Sequence, residues 1–175
     1  MIEVAVEAAR KAGTFLLESI GKVRNVEYKS GEKRNLVSEI DRGSEEKIIA
    51  IIRKHFPHHS ILAEESGDST SSADYKWVID PLDGTTNFLH GLPVFCVTIA
   101  VEYKGEVVAG VVYDPNLDEL FSAEKGSGAY LNGQRLNVSR APELIQSLLV
   151  TGFPYDIASK HNRTVQHFVD FHMEA

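Results

Sequence analysis

From residue 94 to 133 the chain reads VFCVTIAVEY, KGE, VVAGVVYD, PNLDE, LFSAE, KGSG, AYLNG. These are short runs rich in valine, isoleucine and aromatics, each broken by glycine, asparagine or proline. Connections of so few residues leave room only for hairpins, because a parallel crossover needs about a dozen residues or more. K-G and N-G supply the residues that tolerate tight-turn backbone. The stretch predicts a meander of antiparallel strands, and the rest of the chain has to be arranged around that sheet.

Two amphipathic helices precede it. Over residues 2–20, Ile2, Val6, Ala9, Gly13, Leu16 and Ile20 recur at helical spacing, and Gly21 is a stop signal. A second helix is predicted from Ser38 to Phe56, with Val37, Ile40, Ser44, Ile48, Ile51, Ile52 and Phe56 on one face and Pro57 ending it. Ser38 and Asp41 fit the S-x-x-D form of a capping box. KSGEKRNLVS, between the helices, reads as a loop or mobile hairpin. Ile61 and Leu62 predict a short strand ending on Glu64 and Glu65; GDSTSSAD reads as a polar loop; Tyr75 to Ile79 predict a strand ending on Asp80.

Beyond Leu136, SLLVTG reads as a further strand. Asp156 reads as the cap of a last helix striped by Ile157, His161, Thr164, Val165, Phe168 and His172. Such a stripe needs something to pack against, so the chain's end is not expected to be the natural end of a domain. The expected fold is α+β, a layered arrangement of two N-terminal helices on a largely antiparallel sheet. Residues 1–146 would form that domain, and 147–175 the start of a second α/β domain.

Bulk properties exclude several classes. A chain of 175 residues with 43% hydrophobic composition suits one ordinary domain, or one and a fraction. Its net charge of −7, without any basic run, argues against a nucleic-acid groove. No stretch has the roughly 18 apolar residues of a membrane span, and the N-terminus does not read as a signal peptide. The single cysteine, Cys96, has no intramolecular disulfide partner and lies in an apolar run, so a buried, inert thiol in a reducing compartment is expected. The default location is cytoplasmic.

The chemistry concentrates in WVIDPLDGTTNFLHGLP, residues 77–93. An apolar run delivers Asp80; Pro81 fixes a bend; Asp83, Gly84, Thr85 and Thr86 follow. Upstream, Glu64 and Glu65 close another apolar run. If the two strands are neighbours and run the same way, the acids meet at one edge of the sheet. A carboxylate in a low-dielectric site protonates or finds a cation. No lysine or arginine lies inside either segment, and an oxygen-only cluster suits Mg²⁺ or Mn²⁺. A helix starting at Thr85 would turn its first amides toward an anion, so metal ions beside those amides describe a place for a phosphate. Plainer readings stand beside these. D-G is a common hairpin turn, and Asp41 is explained by capping alone. Glu64 and Glu65 also suit a solvated helix start. His55, His58 and His59 cluster at a helix end, where histidines commonly face the helix dipole or water. His90 suits a local hydrogen bond.

These residues resemble the inositol monophosphatase family: AEES at 63–66, WVIDPLDGTTNFLHGLP at 77–93, then G-V-V-Y-D-P and G-x-G-A-Y-L-N-G, in the family's order and spacing. The resemblance covers essentially the whole chain. It implies a Mg²⁺-dependent, Li⁺-sensitive phosphomonoesterase, with Mn²⁺ as a substitute cation. Glu64, Asp80, the Leu82 carbonyl and Asp83 would hold metal, and Glu65 would support a water. Thr85, helped by Asp41, would orient the nucleophilic water, and the amides of Gly84 and Thr85 would hold the phosphate. The implied substrate is a small phosphorylated polyol, most simply inositol monophosphate, and the implied assembly is a homodimer. Fructose-1,6-bisphosphatase or nucleotide phosphatase activity, or a non-catalytic regulatory binding role, are the alternatives. Members of the family continue into a second α/β half bearing a W-D-x-A motif, whose aspartate completes the metal site. Here Trp77 is the one tryptophan, so that motif is absent. The expectation is therefore a fragment or a truncated variant.

Overall fold

The computed structural model describes residues 1–22, 26–28, 36–69, 73–153 and 163–174. It divides into two compact units, Met1–Leu136 and Asn137–Ala175. Among the described residues no helix is long and apolar enough to cross a membrane.

In the first unit the meander forms as expected. Strands β6 (Cys96–Tyr103), β7 (Glu106–Asp114), β8 (Glu119–Glu124), β9 (Gly128–Leu131) and β10 (Gln134–Arg135) pair antiparallel in sequence. The K-G dipeptide between β6 and β7 takes left-handed backbone at both residues (φ 51° at Lys104, 83° at Gly105), the two-residue turn whose twist matches the strands it joins.

The other edge of the sheet is built from β3 (Ser60–Ala63), β4 (Gly67–Ser69) and β5 (Tyr75–Asp83), giving the order β10-β9-β8-β7-β6-β5-β3-β4. Strands β3 and β5 are the parallel pair, with Ala63 opposite Ile79. Two expectations are corrected here. Residues 67–69 are not loop but an edge strand, paired antiparallel with β3; an edge strand needs backbone partners on one side only, so a polar sequence suffices. Strand β5 does not stop at Asp80 but continues to Asp83, its register slipping between Asp80 and Asp83 around Pro81. A missing N–H at proline is compatible with such an irregularity, so D-P-L-D-G is no hairpin turn. Residues 70–72 lie outside the described residues.

Helices α1 (Ile2–Ser19) and α2 (Glu39–His55) pack together and against the sheet. Of the predicted α1 stripe, Ala9, Gly13 and Leu16 are buried and Ile2, Val6 and Ile20 pack against the core at its margin; Ala5, Ala8 and Ala12 widen the buried face toward the small residues. Close approach explains it: a Cβ at Gly13 would stand 2.5 Å from the Tyr113 ring of β7. On α2 the buried set is Ile40, Asp41, Ser44, Glu45, Ile48 and Ile52, so two carboxylates sit where the sequence suggested apolar contact. Between the helices, β1 (Val26–Tyr28) and β2 (Leu36–Ser38) pair as antiparallel strands, in line with the hairpin reading. Residues 29–35 and the Ser38 side chain, on which the capping box depends, lie outside the described residues.

In the second unit, residues 147–152 are not a strand, although SLLVTG has β-forming composition. A strand exists only with a neighbour to complete its backbone bonds, and no described strand lies in this unit. Leu144–Gln146 form a single 3₁₀ turn, and the terminal helix Arg163–Glu174 buries none of its side chains. Within its apolar stripe, Phe168 meets Phe153 edge-on at 5.8 Å. The predicted cap, Asp156, and the stripe positions Ile157 and His161 fall outside the described residues.

Candidate metal and phosphate site

The parallel pairing of β3 with β5 gathers the acids. The ladder extends one residue past β3, where the Glu64 N–H donates to the Ile79 carbonyl at 3.2 Å. That register sets Glu64 beside Asp80, the next residue of β5. The two carboxyls share a side-chain hydrogen bond, and Asp83 acts on Asp80 from the far side of the bend. Strand β6 completes the floor: Thr98 stands opposite Asp80, and Cys96 opposite Asp83. On the other flank, the Leu82 amide donates to Asp80 Oδ1 at 3.2 Å.

After the bend, Gly84 takes left-handed backbone (φ 97°) and caps the short helix α3 (Thr85–Leu89). A Cβ on Gly84 would lie 2.8 Å from the Val94 carbonyl and 3.2 Å from Phe95. The glycine is therefore required by its φ and by the returning chain. The first bond inside α3 runs from the Phe88 N–H to the Gly84 carbonyl at 3.0 Å, so the amides before Phe88 have no partner of that helical kind. Thr85 Oγ1 lies 2.9 Å from Asp41 Oδ1 and 3.1 Å from the Leu82 carbonyl. Asp41 is 2% exposed; whatever it does for its own helix, its carboxylate accepts the Thr85 hydroxyl.

Electrostatics favour a cation here. Burial pushes Asp80 up to about 7, reinforced by the charge and hydrogen bond of Glu64 and by Asp83, with the Leu82 amide opposing. Among the described residues no three His, Cys, Asp or Glu side chains form a ready metal-ligand group; the acids are joined through Asp80 rather than ranged around a common centre. The donor set nonetheless fits Mg²⁺ or Mn²⁺: it consists of oxygens, and the side-chain charges named as acting on Asp80 are both negative.

The same cluster sets a pH dependence. An unfolded aspartate ionises near 3.8, whereas folded Asp80 ionises at about 7. Between those values the folded chain holds the extra proton. The stability this group contributes is fully present below the lower value and is lost as pH rises through the upper one. Without divalent cations, the Asp80 contribution is expected to lower Tm between pH 4.5 and 7.5. Asp80→Asn should flatten that slope, and added Mg²⁺ should raise Tm most at the alkaline end. Thermal melts of the two proteins across that range check it; identical pH profiles for parent and variant would contradict it.

His55 and His59, at the α2 terminus, have separate partners. His55 faces Glu7 at 3.7 Å. His59 stacks between Phe56 (4.7 Å) and Tyr75 (4.9 Å) and accepts the Trp77 indole N–H at Nδ1 (3.1 Å). Burial, then Arg53, lowers its pKa, as suits a neutral acceptor. His90 makes the local contact expected of it, Nδ1 to the Thr86 carbonyl at 2.8 Å.

A sequence model of the inositol monophosphatase family matches residues 1–174. The chain belongs to the inositol monophosphatase family. It is 47% identical over 158 residues to Nus factor SuhB of Pseudomonas aeruginosa, covering 89% of this chain and 58% of that protein. It is 41% identical over 156 residues to inositol-1-monophosphatase of Mesorhizobium japonicum, covering 89% and 59%. The solved inositol monophosphatase from Anabaena (Nostoc) sp. PCC 7120 superposes with a TM-score of 0.83 at 40% identity, over 99% of this chain and 63% of that one. The chain thus spans less than two thirds of the length of these relatives.

Two residues of this inositol monophosphatase family member were not singled out for the site by its sequence. Cys96 is half-buried rather than buried, its Sγ 3.8 Å from Asp83 Oδ2; burial, then Asp83, pushes the thiol up to about 11, so it stays protonated. Its register opposite an acid was the only signal, and register is set by pairing. Glu45 is 4% exposed and accepts the amides of Glu65 and Ser66. Its signal was spacing: Asp41, Ser44 and Glu45 adjoin the apolar stripe of α2.

Proposed function

We propose that the protein acts as a phosphoric monoester hydrolase on a small phosphorylated polyol, with inositol monophosphate the first substrate to test. Family membership supports the class. The observation that carries the reading is the convergence of Glu64 and Asp80 through parallel pairing, one bend away from the Thr85–Asp41 hydroxyl pair.

In this reading Glu64, Asp80, Asp83 and the Leu82 carbonyl hold Mg²⁺, with Mn²⁺ able to replace it. Bound there, the cation supplies Lewis-acid charge to phosphate oxygens and lowers the pKa of a water. The remaining work falls to the chain. The Thr85 hydroxyl donates its hydrogen bond to Asp41, which leaves the Oγ1 lone pairs to accept from the attacking water. Glu65 would support that water, the role the family resemblance implies for it. The amides of Gly84 and Thr85 receive the phosphate oxygens where negative charge grows in the transition state. No covalent enzyme intermediate is needed.

The test is turnover of inositol monophosphate, fructose 1,6-bisphosphate and a nucleotide monophosphate, with Mg²⁺, with EDTA and with added Li⁺. Mg²⁺-dependent release of phosphate that Li⁺ suppresses supports the reading, and the preferred substrate ranks the alternatives. A second reading, a regulatory binding protein, is favoured by the name of the Pseudomonas aeruginosa relative, Nus factor SuhB. Retained Mg²⁺ binding without turnover of any of the three would favour it. A cytoplasmic homodimer remains the expected form under either reading.

A further inference from the structure

We infer that Glu45 is a positioning residue, whose buried carboxylate holds the Glu64–Ser66 turn so that Glu64 meets Asp80. The inference rests on the metal-site reading above and deepens it.

The argument begins with cost. A carboxylate in a low-dielectric interior is expensive unless hydrogen bonds satisfy it, and an aliphatic side chain would fill the same space without that penalty. Glu45 is 4% exposed, and each of its oxygens is engaged by a different amide. Oε2 accepts the Glu65 N–H at 2.8 Å and Oε1 accepts the Ser66 N–H at 3.1 Å. These are charge-assisted bonds, stronger and more directional than neutral ones. The preceding amide, Glu64 N–H, is spent on the Ile79 carbonyl at 3.2 Å. Three successive amides are therefore fixed from two directions, by β5 and by α2. Fixing them sets the backbone of the turn, and with it the direction of the Glu64 Cα–Cβ bond.

The same helix ties down the other half of the cluster. Ser44 Oγ donates to the Pro81 carbonyl at 2.8 Å, inside the bend between Asp80 and Asp83, and Asp41 takes the Thr85 hydroxyl. Positions i, i+3 and i+4 share one helix face, so a single rigid element spaces the three segments that bear the acids and the hydroxyl. Groups that orient metal ligands typically change metal affinity about 10–100-fold when lost.

The test uses the full 175-residue chain and Mn²⁺, with unbound Mn²⁺ read by electron paramagnetic resonance. Glu45→Gln keeps the shape but turns an NH₂ toward one of the two amide donors, so it loses one bond. Its Mn²⁺ dissociation constant is expected to rise about 10-fold or more, with the Glu65 and Ser66 amides exchanging faster and those of β6 and β7 unchanged. Ile52→Val loosens the same helix without touching the turn and should bind Mn²⁺ as the parent does; a loss equal to that of Glu45→Gln would make the effect general destabilisation and overturn the inference. Asp83→Asn separates the two layers. If it loses Mn²⁺ while Glu45→Gln binds within about two-fold of the parent, the positioning role is wrong and the metal site stands. If Asp83→Asn also binds normally, or the parent binds no Mn²⁺, the metal reading fails and takes this inference with it. Amide exchange in the parent needs no variant: Glu65 and Ser66 amides exchanging at free-peptide rates would overturn the inference even if Glu45→Gln did not fold.

Discussion

Asp83→Asn is expected to reduce Mg²⁺-dependent phosphate release by about three orders of magnitude, with little change in Tm. The side chain is exposed and keeps its shape in the variant, so the fold loses almost nothing. What disappears is a negative charge at the bend, where Asp83 acts on Asp80. Lewis-acid stabilisation of a phosphoryl transition state is worth several kcal/mol, and about 4 kcal/mol corresponds to that factor in rate. Raising Mg²⁺ should recover part of the loss if affinity is the main defect, and none if placement is. Assays across a Mg²⁺ series, with Mn²⁺ binding measured alongside, separate the two. Parent-like turnover at low Mg²⁺ would remove Asp83 from the metal site.

Trp77→Ala is expected to destabilise the first unit by about 3–5 kcal/mol, the range for emptying a large aromatic from a core. For a chain of this length that is a fall in Tm of roughly 10 °C. Trp77 is fully buried on β5, and its ring lies 5.6 Å from Phe56. Its indole N–H is also the donor to His59 Nδ1, so removal leaves a stacked, partly buried imidazole without that bond. Trp77→Phe distinguishes the two contributions, since it retains most of the volume and loses only the donor; its fall in Tm should be clearly the smaller. Differential scanning calorimetry of both variants gives the answer. A shift under about 2 °C for Trp77→Ala would mean that this aromatic cluster is not part of the cooperative core.

Much of this molecule is legible in its sequence. The meander between residues 94 and 133 followed from turn dipeptides, which act locally and leave few alternatives. The helices followed from apolar periodicity, although the buried face of α1 is wider than its stripe and takes in Ala5, Ala8 and Ala12, because alanine gives a weak periodic signal while allowing the closest approach to the sheet. Glu64, Asp80 and Asp83 stood out because acids are rare at the ends of apolar runs. Residues 67–69 were missed as a strand because an edge strand is held by backbone bonds, which side-chain patterning does not report. SLLVTG failed in the opposite sense: it has the composition of a strand and no partner strand among the described residues of its unit.

The sequence by itself determined the inventory: which segments prefer extended or helical backbone, where turns fall, and which oxygens are available for a cation and a phosphate. Those properties are local, so neighbouring residues suffice to express them. Only the tertiary structure decided that β3 lies parallel to β5 in the register that brings Glu64 to Asp80. It also decided that Cys96 stands opposite Asp83, and that Glu45 points into the turn rather than into water. Each of these depends on which surface of a remote segment arrives opposite, and burial turns an ordinary surface glutamate into a clamp only once that surface is in place.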